Sequence, residues 1–319
     1  MNTYWSTFLL SLLFLISCAE QRQDGASVVF EEAQSNQADV HENNTAPLAP
    51  HERINGATSS TDMQVILVPS EFVIGSNRVA VGLLDTSSRM LHDATVQFLY
   101  YDLSDPFDPA FESEVEAYRI STPDGHTTMY AHEREFAQAG RWGVEIQALF
   151  PDGAAAVERI EIEISAETET LTVGEPAPAV QTLTSVDVDG DLNQLTSGIT
   201  TNPAFYNLSL PEALNNNKPT LLLFATPGFC QTRVCGPVYD VASELEAQHG
   251  DDINFIHVEV YPDLPNPAET DWQVAPALEA FGLTTEPWVY LLDSDGTVAY
   301  RLEGFFSTSE IERQFQSLK

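Results

Sequence analysis

Residues 220–237 read TLLLFATPGFCQTRVCGP, and this stretch decides the expected fold of the C-terminal half. The run TLLLFA (220–225) is short and continuously apolar, the pattern of a strand buried on both faces. Thr226-Pro227-Gly228 is a turn signal. Past Pro237, residues Val238, Val241, Ala242 and Leu245 stand at i, i+3, i+4 and i+7, one apolar stripe of an amphipathic helix. Gly250 is its stop. Cys230 and Cys235 therefore sit where a buried strand hands over to a helix.

Working toward the C-terminus, INFIHVEV (253–260) reads as a second strand and residues 275–281 as a helix. WVYLL (288–292) is a third strand, and Asp293-Ser294-Asp295-Gly296 turns it into a hairpin with 298–302. Residues 309–318 form the expected last helix, with Ser309 as its N-cap. This order, strand, cysteine turn, helix, strand, helix, Glu286-Pro287, hairpin and helix, resembles the α/β thioredoxin-like fold over residues 172–319. Val173-Gly-Glu-Pro-Ala-Pro is similar to the lead-in of membrane-tethered thioredoxins and peroxiredoxins. Phe224-Ala-Thr-Pro-Gly-Phe-Cys230 stands where that superfamily places its first redox cysteine. The resemblance implies that Pro287 is a cis-proline, that Cys230 and Cys235 are the catalytic pair and redox disulfide, and that Glu286, Pro287, Trp288 and Arg233 shape a substrate groove. It implies a thiol–disulfide oxidoreductase without a cofactor, acting on protein thiols or disulfides.

Residue chemistry supports the same roles. At a strand-to-helix turn, unpaired amide N–H groups and the helix dipole favour a thiolate. Cys230 is so placed, and Arg233 is the base nearest to it in sequence. The thiolate is the attacking species, which makes Cys230 the nucleophile and Cys235 the resolving thiol. The spacing is C-x4-C, and this constrains geometry. Residues five apart on one unbroken helix are separated by about 7.5 Å of rise. A disulfide needs Cα atoms within roughly 7 Å. Either the helix starts near Gly236-Pro237, or its first turn unwinds on oxidation; Pro237 suits both.

Two further resemblances set alternatives. Thr226-Pro-Gly-Phe-Cys230-Gln-Thr-Arg-Val-Cys235-Gly is similar to the T-P-G-C-x4-C-G motif of bacterioferritin-comigratory peroxiredoxins, which implies a two-cysteine peroxidase. Phe229 is an insertion in that motif, and Glu286-Pro287-Trp288 stands where those enzymes carry a peroxide-activating arginine. A carboxylate there raises a thiol pKa. The third relative is the copper-delivery thioredoxin-like family, with C-x3-C-P and a distant histidine. Cys230, Cys235 and His257 would be the Cu(I) set, since soft thiolates select that ion. The spacing differs by one, and His257 falls in a buried strand. A non-catalytic binding module is the remaining alternative. Asp187-Val-Asp189-Gly-Asp191 reads as a turn rather than a calcium loop, because Gly198 stands where the bidentate Glu belongs.

The N-terminal part supplies an address. Residues 8–16, FLLSLLFLI, form an apolar run of signal-peptide length, too short to span a bilayer. It ends in Leu15-Ile16-Ser17-Cys18, which resembles the bacterial lipobox, although its n-region carries no Lys or Arg. The resemblance implies cleavage before Cys18, lipidation of its thiol, and anchoring to a membrane on the extracytoplasmic side of the cell envelope. With Cys18 so used, two of the three cysteines remain as thiols. In an oxidising envelope such a pair is expected to be oxidised at least part of the time. Residues 1–18 are thus the expected signal peptide, and the polar segment 19–61 a disordered tether.

Residues 62–166 carry short alternating runs rich in branched side chains. In RIEIEIS, Ile160, Ile162 and Ile164 face one way and Glu161 and Glu163 the other. Six runs, MQVILVPS, NRVAVGLLDT, ATVQFLYYDL, HTTMYAHEREF, GRWGVEIQALF and AVERIEIEIS, imply an all-β sandwich of immunoglobulin-like type. Trp142 is its expected core anchor. His132 and Met129 have opposite parity, which argues against a shared metal site.

Composition closes the reading. The 319 residues carry 48 acids against 13 bases, a formal charge of −35, with Lys218 and Lys319 as the only lysines. Phosphate-backbone binding needs clustered Lys and Arg, so nucleic acid is excluded as a partner. Apolar residues at 43% provide for large cores.

Overall fold

The computed structural model describes residues 59–229, 234–262 and 273–319. The signal peptide, Cys18 and most of the tether lie outside the described residues, as do Cys230 and Arg233. Among the described residues, no helix is long and apolar enough to cross a membrane.

The first part of the chain is β structure. Its strands are β1 (Ser59–Ser60), β2 (Gln64–Leu67), β3 (Phe72–Val73), β4 (Gly75–Leu84), β5 (Thr95–Asp102), β6 (Ala110–Glu116), β7 (Tyr118–Ser121), β8 (Thr128–Phe136), β9 (Gly140–Leu149) and β10 (Ala154–Ser165). One sheet runs β1-β10-β9-β5-β6 with β3 on the β10 edge, and the other runs β2-β4-β8-β7. Alternation decides which side chains the sheets share. Val79, Val81 and Leu83 of β4 and Tyr130 of β8 meet Phe98 and Tyr100 of β5 and Trp142, Val144 and Ile146 of β9 in one core. The sheets are therefore stacked as a sandwich, with Trp142 only 3% exposed. His132 is buried in this core with Nε2 2.8 Å from the Tyr100 hydroxyl, while Met129 faces the opposite way.

Two differences from the expected strands have a physical reason. Residues 110–121 form β6 and β7, which the apolar pattern did not mark. Both are edge strands, and β6 buries almost nothing, so its sequence AFESEVE has no apolar face to display. The sheet also takes in Ser59 and Ser60, inside the span expected to be tether, through parallel pairing with Ala154 and Ala155.

The C-terminal part is α/β. Strands β11 (Thr220–Phe224), β12 (Asn254–Val258), β13 (Trp288–Leu292) and β14 (Val298–Glu303) form one sheet in the order β12-β11-β13-β14. β12 is parallel to β11, while β13 and β14 are antiparallel additions. Every residue of β11, β12 and β13 is buried, as continuous apolar strands require. The helices are α1 (Leu210–Ala213), α2 (Cys235–His249), α3 (Pro276–Ala280) and α4 (Thr308–Phe315). Helix α4 begins before the expected Ser309, because Ser307 is the N-cap and its Oγ accepts from the Glu310 amide at 3.3 Å.

The two parts share a core. Ala80, Ile120, Met129 and Ala131, on the outer face of the β4-β8-β7 sheet, join Tyr300, Leu302, Phe305 and Ile311 in one apolar cluster. Arg78 crosses the same boundary, donating from Nε to Glu310 Oε1 at 2.6 Å and from Nη2 to the Phe305 carbonyl at 2.8 Å.

Candidate functional site

Strand β11 runs straight into the site. After Phe224 come buried Ala225 and Thr226, then the turn Pro227-Gly228-Phe229. The turn is closed by the Phe229 amide donating to the Thr226 carbonyl at 3.3 Å. Gly228 is required here by close approach: a Cβ at this position would lie 2.3 Å from the Ser197 carbonyl oxygen. Its amide donates to Ser197 Oγ at 2.9 Å. Phe229 is half exposed, an apolar side chain at the mouth of the turn.

Helix α2 starts at Cys235, with Val234 as N-cap and Pro237 in the first turn. A proline is tolerated there because its missing N–H belongs to the unpaired set at the helix start. Of the two alternatives left by the C-x4-C spacing, the helix start at Cys235 is the one observed; Cys230 precedes the helix in the chain. Cys235 is fully buried and disulfide-bonded, and its partner lies outside the described residues.

Register brings the cis-proline loop to this turn. Phe224 of β11 pairs with Trp288 of β13, which sets Glu286 and Pro287 beside Ala225 and Thr226. The Glu286–Pro287 bond is cis. The Pro287 carbonyl accepts from the Gly304 amide at 2.9 Å. Trp288 is 5% exposed, so its ring belongs to the core, stacked on Tyr290 with its Nε1 donating to Thr285 Oγ1 at 2.9 Å.

Behind the turn lie two buried acids. Glu259, just past β12, accepts through Oε2 from the Ser197 amide at 2.7 Å and from Ser197 Oγ at 3.0 Å. It thereby holds the serine that in turn holds Gly228. Burial pushes the Glu259 carboxyl up to about 7, against the downward pull of Ser197 and Thr226, and Glu286 adds to the rise. Burial likewise pushes Glu286 up to about 7, against Thr226. Glu259 Oε1 and Glu286 Oε2 have no hydrogen-bond partner among the described residues. Below neutral pH these carboxyls are therefore largely protonated, and they then place no negative charge behind the turn. Glu259 also lines a cavity of about 160 Å³, together with Thr182, Leu195, Tyr206, His257 and Pro276.

His257 has both ring nitrogens engaged. Nδ1 is 2.8 Å from the Tyr206 hydroxyl and Nε2 is 2.9 Å from the Ala225 carbonyl oxygen. Burial holds its pKa down at about 4. As placed, it offers no lone pair to a metal shared with Cys235. Among the described residues there is no group of three or more His, Cys, Asp or Glu side chains arranged to hold a metal ion. Residues 187–191 are a turn, in which Asp187 accepts from the Thr184 amide at 2.7 Å and Asp191 caps the short helical turn Leu192–Gln194.

The structure sets Glu286 and Pro287 beside Ala225 and Thr226 and puts Trp288, expected in the groove, into the core, while Glu259 and Ser197, which support the turn, went unmarked in the sequence. One signal was present: Glu259 is an acid inside the apolar run INFIHVEV (253–260).

The strand order β12-β11-β13-β14, the cis-proline and the helix that begins on a disulfide-bonded cysteine together make the arrangement of a thioredoxin-like fold. Solved structures similar to the chain include a thiol:disulfide interchange protein of the thioredoxin family from Chlorobium tepidum TLS, at 18% identity and a TM-score of 0.31 over 46% of this chain and 97% of that one. StoA from Bacillus subtilis is similar at 16% identity and a TM-score of 0.29, over 44% of this chain and 99% of StoA. MTB DsbF, solved in mixed oxidised and reduced forms, is similar at 26% identity and a TM-score of 0.26, over 32% of this chain and 82% of DsbF. No protein-family model matches the chain, and no curated protein does.

Proposed function

We propose that this chain is a thiol–disulfide oxidoreductase of the cell envelope, lipid-anchored through Cys18, with Cys230 and Cys235 as its exchanging pair. Residues 62–166 would be an immunoglobulin-like sandwich unit and residues 172–319 the thioredoxin-like unit. One observation carries the reading: a fully buried, disulfide-bonded Cys235 opens helix α2 beside a turn that faces a cis-proline loop. Cys230 is the partner this reading assigns, five positions earlier and at the turn.

In the reduced protein the Cys230 thiolate attacks one sulfur of a substrate disulfide. That S–S bond breaks, a mixed disulfide forms, and the other substrate sulfur leaves as a thiolate. Cys235 then loses its proton and attacks the Cys230 sulfur, forming the protein disulfide and releasing the second substrate thiolate. The substrate gains two electrons and the protein loses two; the reverse direction uses the same steps. Burial suits Cys235 to the resolving role, since it is shielded from external disulfides. Glu286 and Pro287 supply one wall of the groove and Phe229 an apolar rim, with Arg233 at the cysteine segment.

Trapping tests this. Reduced Cys235→Ser protein should accumulate a mixed disulfide with a disulfide-bonded peptide, and Cys230→Ser protein should not. Accumulation in neither variant would contradict the reading.

A further inference from the structure

The sandwich reaches the residues beside the cis-proline through the short loop 68–71, between β2 and β3, and through Arg78 of β4, whose Nη1 donates to the Glu303 carbonyl at 3.2 Å. Loop 68–71 meets the thioredoxin-like part at Gly304, Glu303 and Arg301. Val68 lies against Gly304, where a Cβ would meet Val68 Cγ1 at 2.4 Å; Gly304 has φ +87, which also favours glycine. Ser70 donates from its amide and its hydroxyl to Glu303 Oε2 at 2.6 and 2.7 Å. The other oxygen of Glu303 accepts from Thr285 Oγ1 at 2.7 Å. Thr285 Oγ1 in turn accepts from Trp288 Nε1, and Gly304 donates to the Pro287 carbonyl. Glu71 accepts from Arg301 Nη1 at 2.9 Å, and the Arg301 guanidinium lies 5.5 Å from the Trp288 ring centroid.

Loop 68–71 thus grips the residues on both sides of Glu286-Pro287. The grip is buried: Glu303 is 8% exposed and Trp288 5%. A buried carboxylate with both oxygens bonded is a stiff link, because losing either partner strands a desolvated group. Ser70 reaches Glu303 across 233 residues of chain, so only the docked sandwich supplies this contact.

We infer that the sandwich is a positioning element of the exchange site: through the Ser70–Glu303–Thr285 bridge it fixes the Thr285–Pro287 segment against which a polypeptide disulfide would be laid. This rests on the oxidoreductase reading for its substrate, but not for the bridge. Ser70 touches no reacting atom and acts through Glu303, so its role is positioning rather than catalytic.

Two measurements on the full chain separate the possibilities. Amide hydrogen exchange reads the bridge with no activity required. In Ser70→Ala protein the Gly304 amide, which is bonded to Pro287, should exchange at least about tenfold faster, while the β11 and β12 amides hold their protection. Ser70→Thr, which keeps a hydroxyl, should restore the slow rate. Equal exchange at Gly304 in wild type and Ser70→Ala overturns the inference. So does acceleration spread evenly through the sheet, which marks general destabilisation. Exchange kinetics with a disulfide-bonded peptide read the consequence. The loss in Ser70→Ala should fall on KM, by about fivefold or more, rather than on kcat; a loss confined to kcat also overturns the inference. Absence of exchange in wild type would sink the oxidoreductase reading, while altered Gly304 protection would still uphold the bridge.

Discussion

Arg78 and Glu310 stand 232 residues apart in the chain yet meet at 2.6 Å, with side chains only 2% and 0% exposed. Arg78 lies on the outer face of the sandwich and Glu310 in the last helix of the thioredoxin-like part. Tyr118 also donates to Glu310 at 2.7 Å, and Tyr300 to Glu133 at 2.7 Å. A charge pair this deep is costly to break, because removing one partner leaves the other desolvated and alone. Arg78→Met or Glu310→Leu should each lower unfolding free energy by about 3–5 kcal/mol, read by denaturant titration. The double replacement should lose less than either single one. Simple additivity of the two losses would show that the ions do not act as a pair.

Glu259 and Glu286 should make the protein less stable as pH rises. Each has a folded pKa of about 7 against an ordinary value of 4.5, with burial as the main cause. The folded state therefore binds more protons than the unfolded state between these values. Stability from these groups is full below pH 4.5 and is lost as pH rises through 7. Glu259→Gln and Glu286→Gln should stabilise the protein relative to wild type at pH 8, by roughly 3 kcal/mol each, and not at pH 4.5. Urea unfolding at the two pH values measures this, and an equal effect at both would refute the raised pKa.

His132 and His257 work in the opposite sense. Burial holds both near 4, below the ordinary 6.5. The unfolded state then binds more protons, so their contribution is complete above pH 6.5 and falls away as pH drops toward 4. Proton NMR of the imidazole rings should show both neutral at pH 5.5. Titration of either ring near 6.5 would contradict the hydrogen-bonded burial, and His257 would again be open to a metal.

The start of helix α2 should respond to redox state. With Cys235 disulfide-bonded the helix begins at that residue, and the bond constrains the Cys235 side chain at the helix start. Reduction removes the constraint. Amide exchange in residues 234–238 should change between oxidised and reduced protein while β11 stays protected. Identical protection in both states would mean that the helix start is indifferent to the disulfide.

The elements readable from sequence were those whose signal is local. Residues 220–225 announce a buried strand by having no polar member after Thr220, and 238–245 announce a helix by their stripe. Pro287 is marked by its neighbours, the apolar run WVYLL directly after it and the turn at 293–296. Edge strand β6 stayed hidden because an edge that buries nothing needs no apolar period. The polar framework of the site stayed hidden for a different reason. Glu259, Ser197, Ser70 and Glu303 are ordinary surface residue types, and each gains its meaning only from a partner that is distant in the chain. Packing of the sandwich on β14 and α4 was illegible on the same ground, since Arg78 and Glu310 are charges that composition assigns to solvent.

On the proposed function, Cys230 and Cys235 form an exchanging pair rather than a fixed staple. Equilibrating the full chain in glutathione redox buffers, trapping free thiols by alkylation and counting them by mass tests it directly. The disulfide of an exchanging pair should open within the glutathione range, at a potential less reducing than about −300 mV. A bond that stays closed across that range, and yields only to stronger reductants, would contradict it.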